Sequence, residues 1–145
     1  MLRAALAALD AQGLVVEAAS PVLASVPLGP SLRRYANGVA VIRTSLDPPA
    51  LLQCLKAIER AFGRRTGGQR WSARVLDLDI VLWDGGCWRS AGLAIPHPSF
   101  RERTFVLAPA LAVAADWTDP RNRLSLRHLH ARLTRPRPGG ARKTA

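Results

Sequence analysis

The sequence predicts an α+β fold: a two-layer sandwich with one mostly antiparallel sheet and helices packed on one face of it. Three observations predict it. Apolar residues recur at helical spacing over residues 2–11 and 47–62, and strand-type runs occupy 14–19, 35–42 and 75–82. These runs follow one another in the order α-β-β-α-β, with helical segments trailing behind. The chain of 145 residues suffices for one domain with a real core, and falls short of two domains of ordinary size.

The first helix rests on Leu2, Ala5, Leu6 and Leu9, in a stretch rich in alanine and leucine, and Gly13 is placed to end it. Leu14 to Ala19 reads as a strand, and Ser20 to Arg34, with Pro21, Pro27, Gly29 and Pro30, as a loop. Tyr35 opens a second strand that runs through Val39, Val41 and Ile42. Asp47 suits an N-cap with Pro48 at the first helical position, and Leu51, Leu52, Leu55, Ile58 and Phe62 form one apolar face. Gly63 to Arg74 reads as a basic, glycine-containing loop of the kind that closes over ligands. Val75 to Leu82 alternates as a strand, and Asp84-Gly85-Gly86 turns the chain toward a short return strand near Trp88. Ile95-Pro96-His97-Pro98 is a rigid extended turn; Arg101 to Ala115 is helical with a break expected at Pro109. Asn122 to Leu133 forms a last helix. The domain is expected to span 1–133, and the basic, Pro- and Gly-rich residues 134–145 to be a disordered tail. A ferredoxin-like sheet would need one more strand ahead of the first helix, and the sequence does not contain it.

Composition narrows the function. The net charge of +11 looks like a nucleic-acid signal, but its distribution weakens that reading. All 10 acidic residues precede Arg121, and eight basic residues follow from Arg121 on, so residues 1–120 carry only +3. Within the body, Lys56, Arg60, Arg64, Arg65, Arg70 and Arg74 crowd one segment, which suits a polyphosphate as well as a nucleic acid. Cys54 and Cys87 are far apart and lack metal-ligand spacing, which fits a reducing cytoplasm. No apolar run is long enough to span a membrane, and the apolar start has no signal-peptide cleavage end.

The chemistry concentrates in Arg70-Trp71-Ser72-Ala73-Arg74-Val75-Leu76-Asp77-Leu78-Asp79-Ile80-Val81-Leu82. In a strand, residues two apart share a face, so Asp77 and Asp79 point the same way, with Cα atoms roughly 6.5–7 Å apart. Two neighbouring carboxylates repel unless a cation lies between them, and Mg²⁺ takes one or two carboxylates and completes its shell with water and phosphate oxygens. From spacing alone this stands at even odds with a solvated strand edge. Arg64, Arg65, Arg70 and Arg74 supply forked donors for phosphate oxygens, with His97 and Arg103 as further donors. Trp71, Tyr35 and Phe105 could sandwich a planar heterocycle. These parts describe phosphoryl-type transfer from a nucleotide. Singly, each has a bland alternative: Trp71 as a loop aromatic, His97 as a turn residue, Phe105 as core, Tyr35 as a structural strand residue. His128 and His130 read as a solvated helix face.

The run from Arg70 to Val81 resembles the signature of the 6-hydroxymethyl-7,8-dihydropterin pyrophosphokinase family. Other features follow in that family's order: Val26-Pro27-Leu28-Gly29, Tyr35-Ala36-Asn37, Ile58-Glu59 with Gly63-Arg64, Pro96-His97-Pro98, and Arg103-Thr104-Phe105-Val106-Leu107. The resemblance covers about residues 2–117 and rests on the joint order of these motifs. It implies a ferredoxin-like fold and transfer of pyrophosphate from ATP to the pterin hydroxymethyl group, giving AMP, in folate biosynthesis. Asp77 and Asp79 would bind two Mg²⁺ and, with Arg64 and Arg74, form the catalytic set. Arg64, Arg74, His97, Arg101 and Arg103 would contact ATP. Asn37 would hydrogen-bond the pterin, with backbone groups near Ser25 and Leu28, while Tyr35 and Phe105 stack on it and Trp71 rides on the lid. The partners expected are ATP and the pterin, with no membrane or nucleic acid, for a cytoplasmic monomer.

Some positions depart from the family's pattern. Ser72 stands for a smaller residue, Ser25 and Val26 for a common Thr-Pro, Thr66 for a second lid arginine, and Gly92 and Ala94 for polar residues. The family also begins with a strand and a Gly-Ser-Asn turn, about ten residues, whereas this sequence begins inside the helix that follows. The expectation is a natural start further upstream, which in-frame coding DNA would support and a stop codon would refute. Competing readings are a truncated homologue of little activity, a nucleic-acid-binding module driven by the basic tail, and a two-metal nuclease, ranked last for want of further acidic ligands.

Overall fold

The computed structural model describes residues 2–25, 35–65 and 76–136; side chains at 25, 35, 64 and 65 lie outside the description. Helix α1 (Leu2–Ala11) buries Ala5 and Leu9 and ends before Gly13, whose φ of 83° is the left-handed conformation a helix terminus favours. Strand β1 (Val15–Ala19) then pairs antiparallel with β4 (Ala40–Arg43), with a register irregularity between Val16 and Ala18. The expected loop from Ser20 contains a strand of its own, β2 (Leu23–Ser25), which pairs antiparallel with β3 (Tyr35–Asn37). The single strand expected from Tyr35 to Ile42 is thus two short strands with different partners, broken at Gly38-Val39.

Helix α2 (Pro48–Arg65) starts as the sequence predicts: the Asp47 Oδ1 accepts from the Ala50 N–H at 3.0 Å. It continues past Phe62, so Gly63, Arg64 and Arg65, expected in a loop, are helical. After residues 76–83, a turn at Asp84-Gly85 leads to the hairpin β5 (Trp88–Ser90) and β6 (Leu93–Ile95). Gly86 has φ 100°, and a Cβ on Gly85 would collide with the Trp83 ring, so both turn positions need glycine. Trp83 in turn meets Trp88 edge-to-face, with ring centroids 5.7 Å apart. A 3₁₀ turn (Phe100–Glu102) precedes α3 (Thr104–Ala114), which carries Pro109 inside it, buried, rather than breaking there. The break falls at Arg103 instead. Helix α4 (Leu126–Thr134) begins later than expected, capped by the Ser125 hydroxyl, which accepts from the His128 N–H at 3.1 Å.

Two apolar clusters hold these elements. One joins Ala5, Leu9, Leu14, Leu55, Ile58, Phe62 and Leu76, with Val16, Ile42, Leu78 and Ile80 packed against it. The other joins Phe100, Leu107, Ala110, Ala114, Leu126 and Leu129, with Val39, Val41 and Val81 against it. Adjacent residues of β4, Val41 and Ile42, therefore serve opposite clusters, as the pleat of a strand dictates. This corrects the two-layer expectation. The β1–β4 pair lies between α1 and α2 on one face and the 3₁₀ turn, α3 and α4 on the other. The apolar run Val39-Ala40-Val41-Ile42 carries the reason, because a strand buried on both faces reads as continuously hydrophobic.

A second correction concerns residues 75–82. Residue 75 lies outside the described residues, and 76–83 carry no strand assignment. All the described pairings are antiparallel, in three two-stranded units, and no four-stranded ferredoxin-like sheet joins them among the described residues. Backbone groups of the segment are satisfied elsewhere: the Leu78 N–H donates to Glu59 Oε2 at 2.6 Å, and the Val81 carbonyl accepts from the His97 N–H at 3.0 Å. The face alternation survives without a ladder, because it follows from extended backbone and burial rather than from pairing. No described helix is long and apolar enough to cross a membrane.

Candidate functional site

Residues 76–80 alternate buried or half-buried leucine and isoleucine with exposed aspartate. Leu76, Leu78 and Ile80 seat against α1 and α2, which turns Asp77 and Asp79 to the opposite, open side of the segment. Glu59 fixes this arrangement from α2. Its carboxylate is largely buried, 3.7 Å from the Lys56 ammonium, and accepts the N–H of Leu78, the residue between the two aspartates. Sequence reasoning did not single out this tether. The available signal was an acid beside the Leu55–Ile58–Phe62 stripe, where α2 otherwise presents apolar side chains.

At the other end of the segment, the His97 N–H on the Val81 carbonyl brings in the turn that carries His97, Arg101 and Arg103. The Ser99 N–H donates to His97 Nδ1 at 3.1 Å. That makes Nδ1 the acceptor and leaves Nε2 as the ring nitrogen that carries the hydrogen. The turn is set by further bonds, from the Phe100 N–H to the His97 carbonyl and from the Arg103 N–H to the Phe100 carbonyl, at 3.3 and 3.2 Å. Arg103 sits at the N-terminal cap of α3, half-buried, with its guanidinium 5.5 Å from the Phe105 ring centroid. Phe105 is 44% exposed, so its ring is available as a stacking face rather than spent in the core.

Arg101, expected at the nucleotide, is engaged within the protein. Its guanidinium is bound two-pronged by Asp119, through Nε to Oδ2 and through Nη2 to Oδ1, the latter at 2.9 Å. Asp119 is fully buried and also accepts the Arg121 N–H at 3.0 Å. Burial pushes the Asp119 carboxyl up, but the hydrogen bonds from Arg101 and Arg121 and the guanidinium charge outweigh it and hold the group below the ordinary carboxylate range. The bond to Asp119 in turn raises Arg101 further. The sequence offered no pattern that links positions 101 and 119.

The expected pterin contacts are brought together in part. Ser25 pairs with Tyr35, and Leu23 with Asn37, across β2 and β3. Helix α3, which carries Phe105 in its first turn, packs against both strands. Asn37 is half-buried and engaged in a polar contact. Leu28, Trp71 and Arg74 lie outside the described residues, as do the side chains of Ser25, Tyr35 and Arg64. Arg64 is placed by its backbone alone, in the last turn of α2.

The fit of a divalent cation rests on donor chemistry. No cluster of three or more His, Cys, Asp or Glu side chains that could hold a metal gathers among the described residues. Asp77 and Asp79 offer hard oxygen donors on one face, two at most. That suits a metal whose shell is completed by phosphate and water, as Mg²⁺ prefers, and not one caged wholly by protein.

Comparison with known proteins bears on the family of the chain. The family model described as 7,8-dihydro-6-hydroxymethylpterin-pyrophosphokinase matches residues 1–115. A 2-amino-4-hydroxy-6-hydroxymethyldihydropteridine pyrophosphokinase of Synechocystis is 44% identical over 110 residues, covering 76% of this chain and 56% of the relative. Proteins of the same name from Pseudomonas aeruginosa and Haemophilus influenzae are 42% and 40% identical, covering 81% and 69% of this chain. The chain spans 75% of the length of the Pseudomonas protein and 62% of the Haemophilus one.

Proposed function

Because the chain belongs to the 7,8-dihydro-6-hydroxymethylpterin-pyrophosphokinase family, we propose that it transfers pyrophosphate from ATP to the hydroxymethyl group of 6-hydroxymethyl-7,8-dihydropterin, releasing AMP. The observation that carries this reading is that Asp77 and Asp79 are both exposed on one face of a segment anchored at Leu78 by Glu59 and at Val81 by the His97 turn. Two carboxylates on one rigid face suit the metal–phosphate complex of a nucleotide.

In this reading Asp77 and Asp79 hold Mg²⁺, with two ions expected. A metal held by these two carboxylates would supply charge neutralisation on the phosphates and lower the cost of attack by the pterin hydroxyl. His97 donates from Nε2 to a phosphate oxygen, and Arg103, with Arg64 and Arg74, contributes forked donors that follow the charge as it moves to the leaving group. Phe105 and Tyr35 stack on the pterin, Asn37 reads its edge with backbone groups near Ser25 and Leu28, and Trp71, expected on the lid, is a further pterin contact. The reaction belongs to folate biosynthesis, in the cytoplasm, carried out by a monomer.

The test is AMP release from ATP and the pterin by the purified chain. Activity that needs both substrates and Mg²⁺ supports the reading, and Asp79→Ala is expected to lower it by at least about 100-fold, a loss of roughly 2.7 kcal/mol of transition-state stabilisation. Full activity in Asp79→Ala would end the metal assignment. A second reading, a family member of little activity, is favoured by one observation: residues 76–83, which bear both aspartates, carry no strand assignment. The same assay separates the two.

A further inference from the structure

We propose that Arg101 and Asp119 form a clasp that positions the His97–Arg103 turn, so that Arg101 acts through Asp119 and not on the nucleotide. The inference rests on the reading above for what the turn contacts; the clasp itself stands on the geometry.

Both halves of the clasp are held independently. On one side, Phe100 is fully buried in the second cluster, and the Arg101 guanidinium lies over its ring, 4.7 Å from the centroid. The chain on either side of Arg101 is short and tightly bonded, from the His97 N–H on Val81 to the Arg103 carbonyl, which accepts the N–H groups of Val106 and Leu107 at 3.0 Å each. On the other side, Asp119 closes a loop between α3 and α4. Its N–H donates to the Leu124 carbonyl at 2.8 Å, and its carbonyl accepts the Arg123 N–H at 2.7 Å. Thr118 bridges Ser125, and the Leu126 N–H reaches the Trp117 carbonyl at 2.9 Å. The loop is therefore a fixed post, and the two-pronged ion pair transfers its position to the turn.

The chemistry explains why the pair is a positioning device. A guanidinium whose Nε and Nη2 both point to one buried carboxylate has its fork committed, and a planar two-bond contact fixes orientation as well as distance. His97 is four residues before Arg101 and Arg103 two after it, so a rotation of the 3₁₀ turn moves both donors together. Asp119 also compensates the Arg101 charge and keeps it from competing with Arg103 for phosphate.

The sign of one substitution separates this from a direct role. Asp119→Asn keeps the side-chain shape and releases Arg101. If Arg101 only positions, Arg101→Met and Asp119→Asn each raise KM for ATP several-fold. KM for the pterin then stays within twofold, kcat falls several-fold because Arg103 moves with the turn, and the double variant is no worse than either single one. Arg101→Lys, which keeps the charge but loses the fork, is expected to recover only part of the loss. If Arg101→Met raises KM for ATP while Asp119→Asn leaves or lowers it, Arg101 is a direct contact and the proposal fails. It fails also if every variant keeps the wild-type KM. Amide hydrogen exchange supplies a readout independent of turnover. Faster exchange at residues 97–103 in Asp119→Asn, with α1 and α2 unchanged, supports the clasp, and unchanged exchange at 97–103 overturns it. A wild-type chain that releases no AMP would sink the pyrophosphokinase reading, while the exchange experiment would still decide the clasp.

Discussion

Single residues in this protein act mostly by holding others. Glu59 is the clearest case. The N–H it accepts belongs to the residue flanked by Asp77 and Asp79, so the carboxylate on α2 sets how far the pair stands from the helix. Removing the acceptor leaves that N–H without its partner in a half-buried setting, which costs about 1–3 kcal/mol. Glu59→Ala is therefore expected to lower the melting temperature and to weaken Mn²⁺ binding measured by titration calorimetry without substrates. Glu59→Gln, which keeps an acceptor oxygen, should retain most of both. An equal loss in the two variants would show that the charge, and not the hydrogen bond, matters. Asp77 and Asp79 were legible in the sequence because alternation is a local property. Glu59 and Asp119 were not, because each finds its partner 19 and 18 positions away in sequence.

At the scale of elements, α1 and α2 are written in their own residues: apolar spacing, the Asp47 cap and Gly13 all appear where the helices start or stop. The strands are less legible. Leu23–Ser25 is short, follows Pro21 and has an exposed leucine at 45%, so nothing local marks it; only its partner Tyr35–Asn37 makes it a strand. Helix α3 is apolar nearly all round, which is the pattern of a buried helix rather than a surface one. Its Leu107 is fully buried in the cluster that covers the second face of the strand layer. Leu107→Ala is expected to destabilise the chain by about 2–5 kcal/mol in urea unfolding. A loss well below that range would mean the second face is loosely packed and the three-layer arrangement does not carry its share of stability.

For the whole molecule, the Arg101–Asp119 pair ties stability to pH. A carboxylate held below its unfolded value contributes stability that is fully present above the unfolded value, near 3.9, and is lost as pH falls through the folded one. The melting temperature of the wild type should accordingly drop on acidification below about pH 4. Asp119→Asn should start lower at neutral pH and show a shallower acid decline. Parallel declines in the two proteins would assign the acid sensitivity to other carboxylates. The exposed Arg127–Asp116 and Arg43–Glu17 pairs are expected to add little, since solvent screens them.

The α+β class, both leading helices, the facing of Asp77 and Asp79 and, through the order of the motifs, the family are legible in the chain before any contact is known. Each depends on neighbours along the chain or on a pattern of residue types, and all four can be read without knowing the contacts. Tertiary structure alone decided that helices cover both faces of the strands and that the aspartate segment is tethered by Glu59 and the His97 turn instead of by a ladder among the described residues. It also decided that Arg101 is spoken for by Asp119. These depend on which distant groups meet, and meeting is settled by packing and by the need of every buried donor and charge to find a partner.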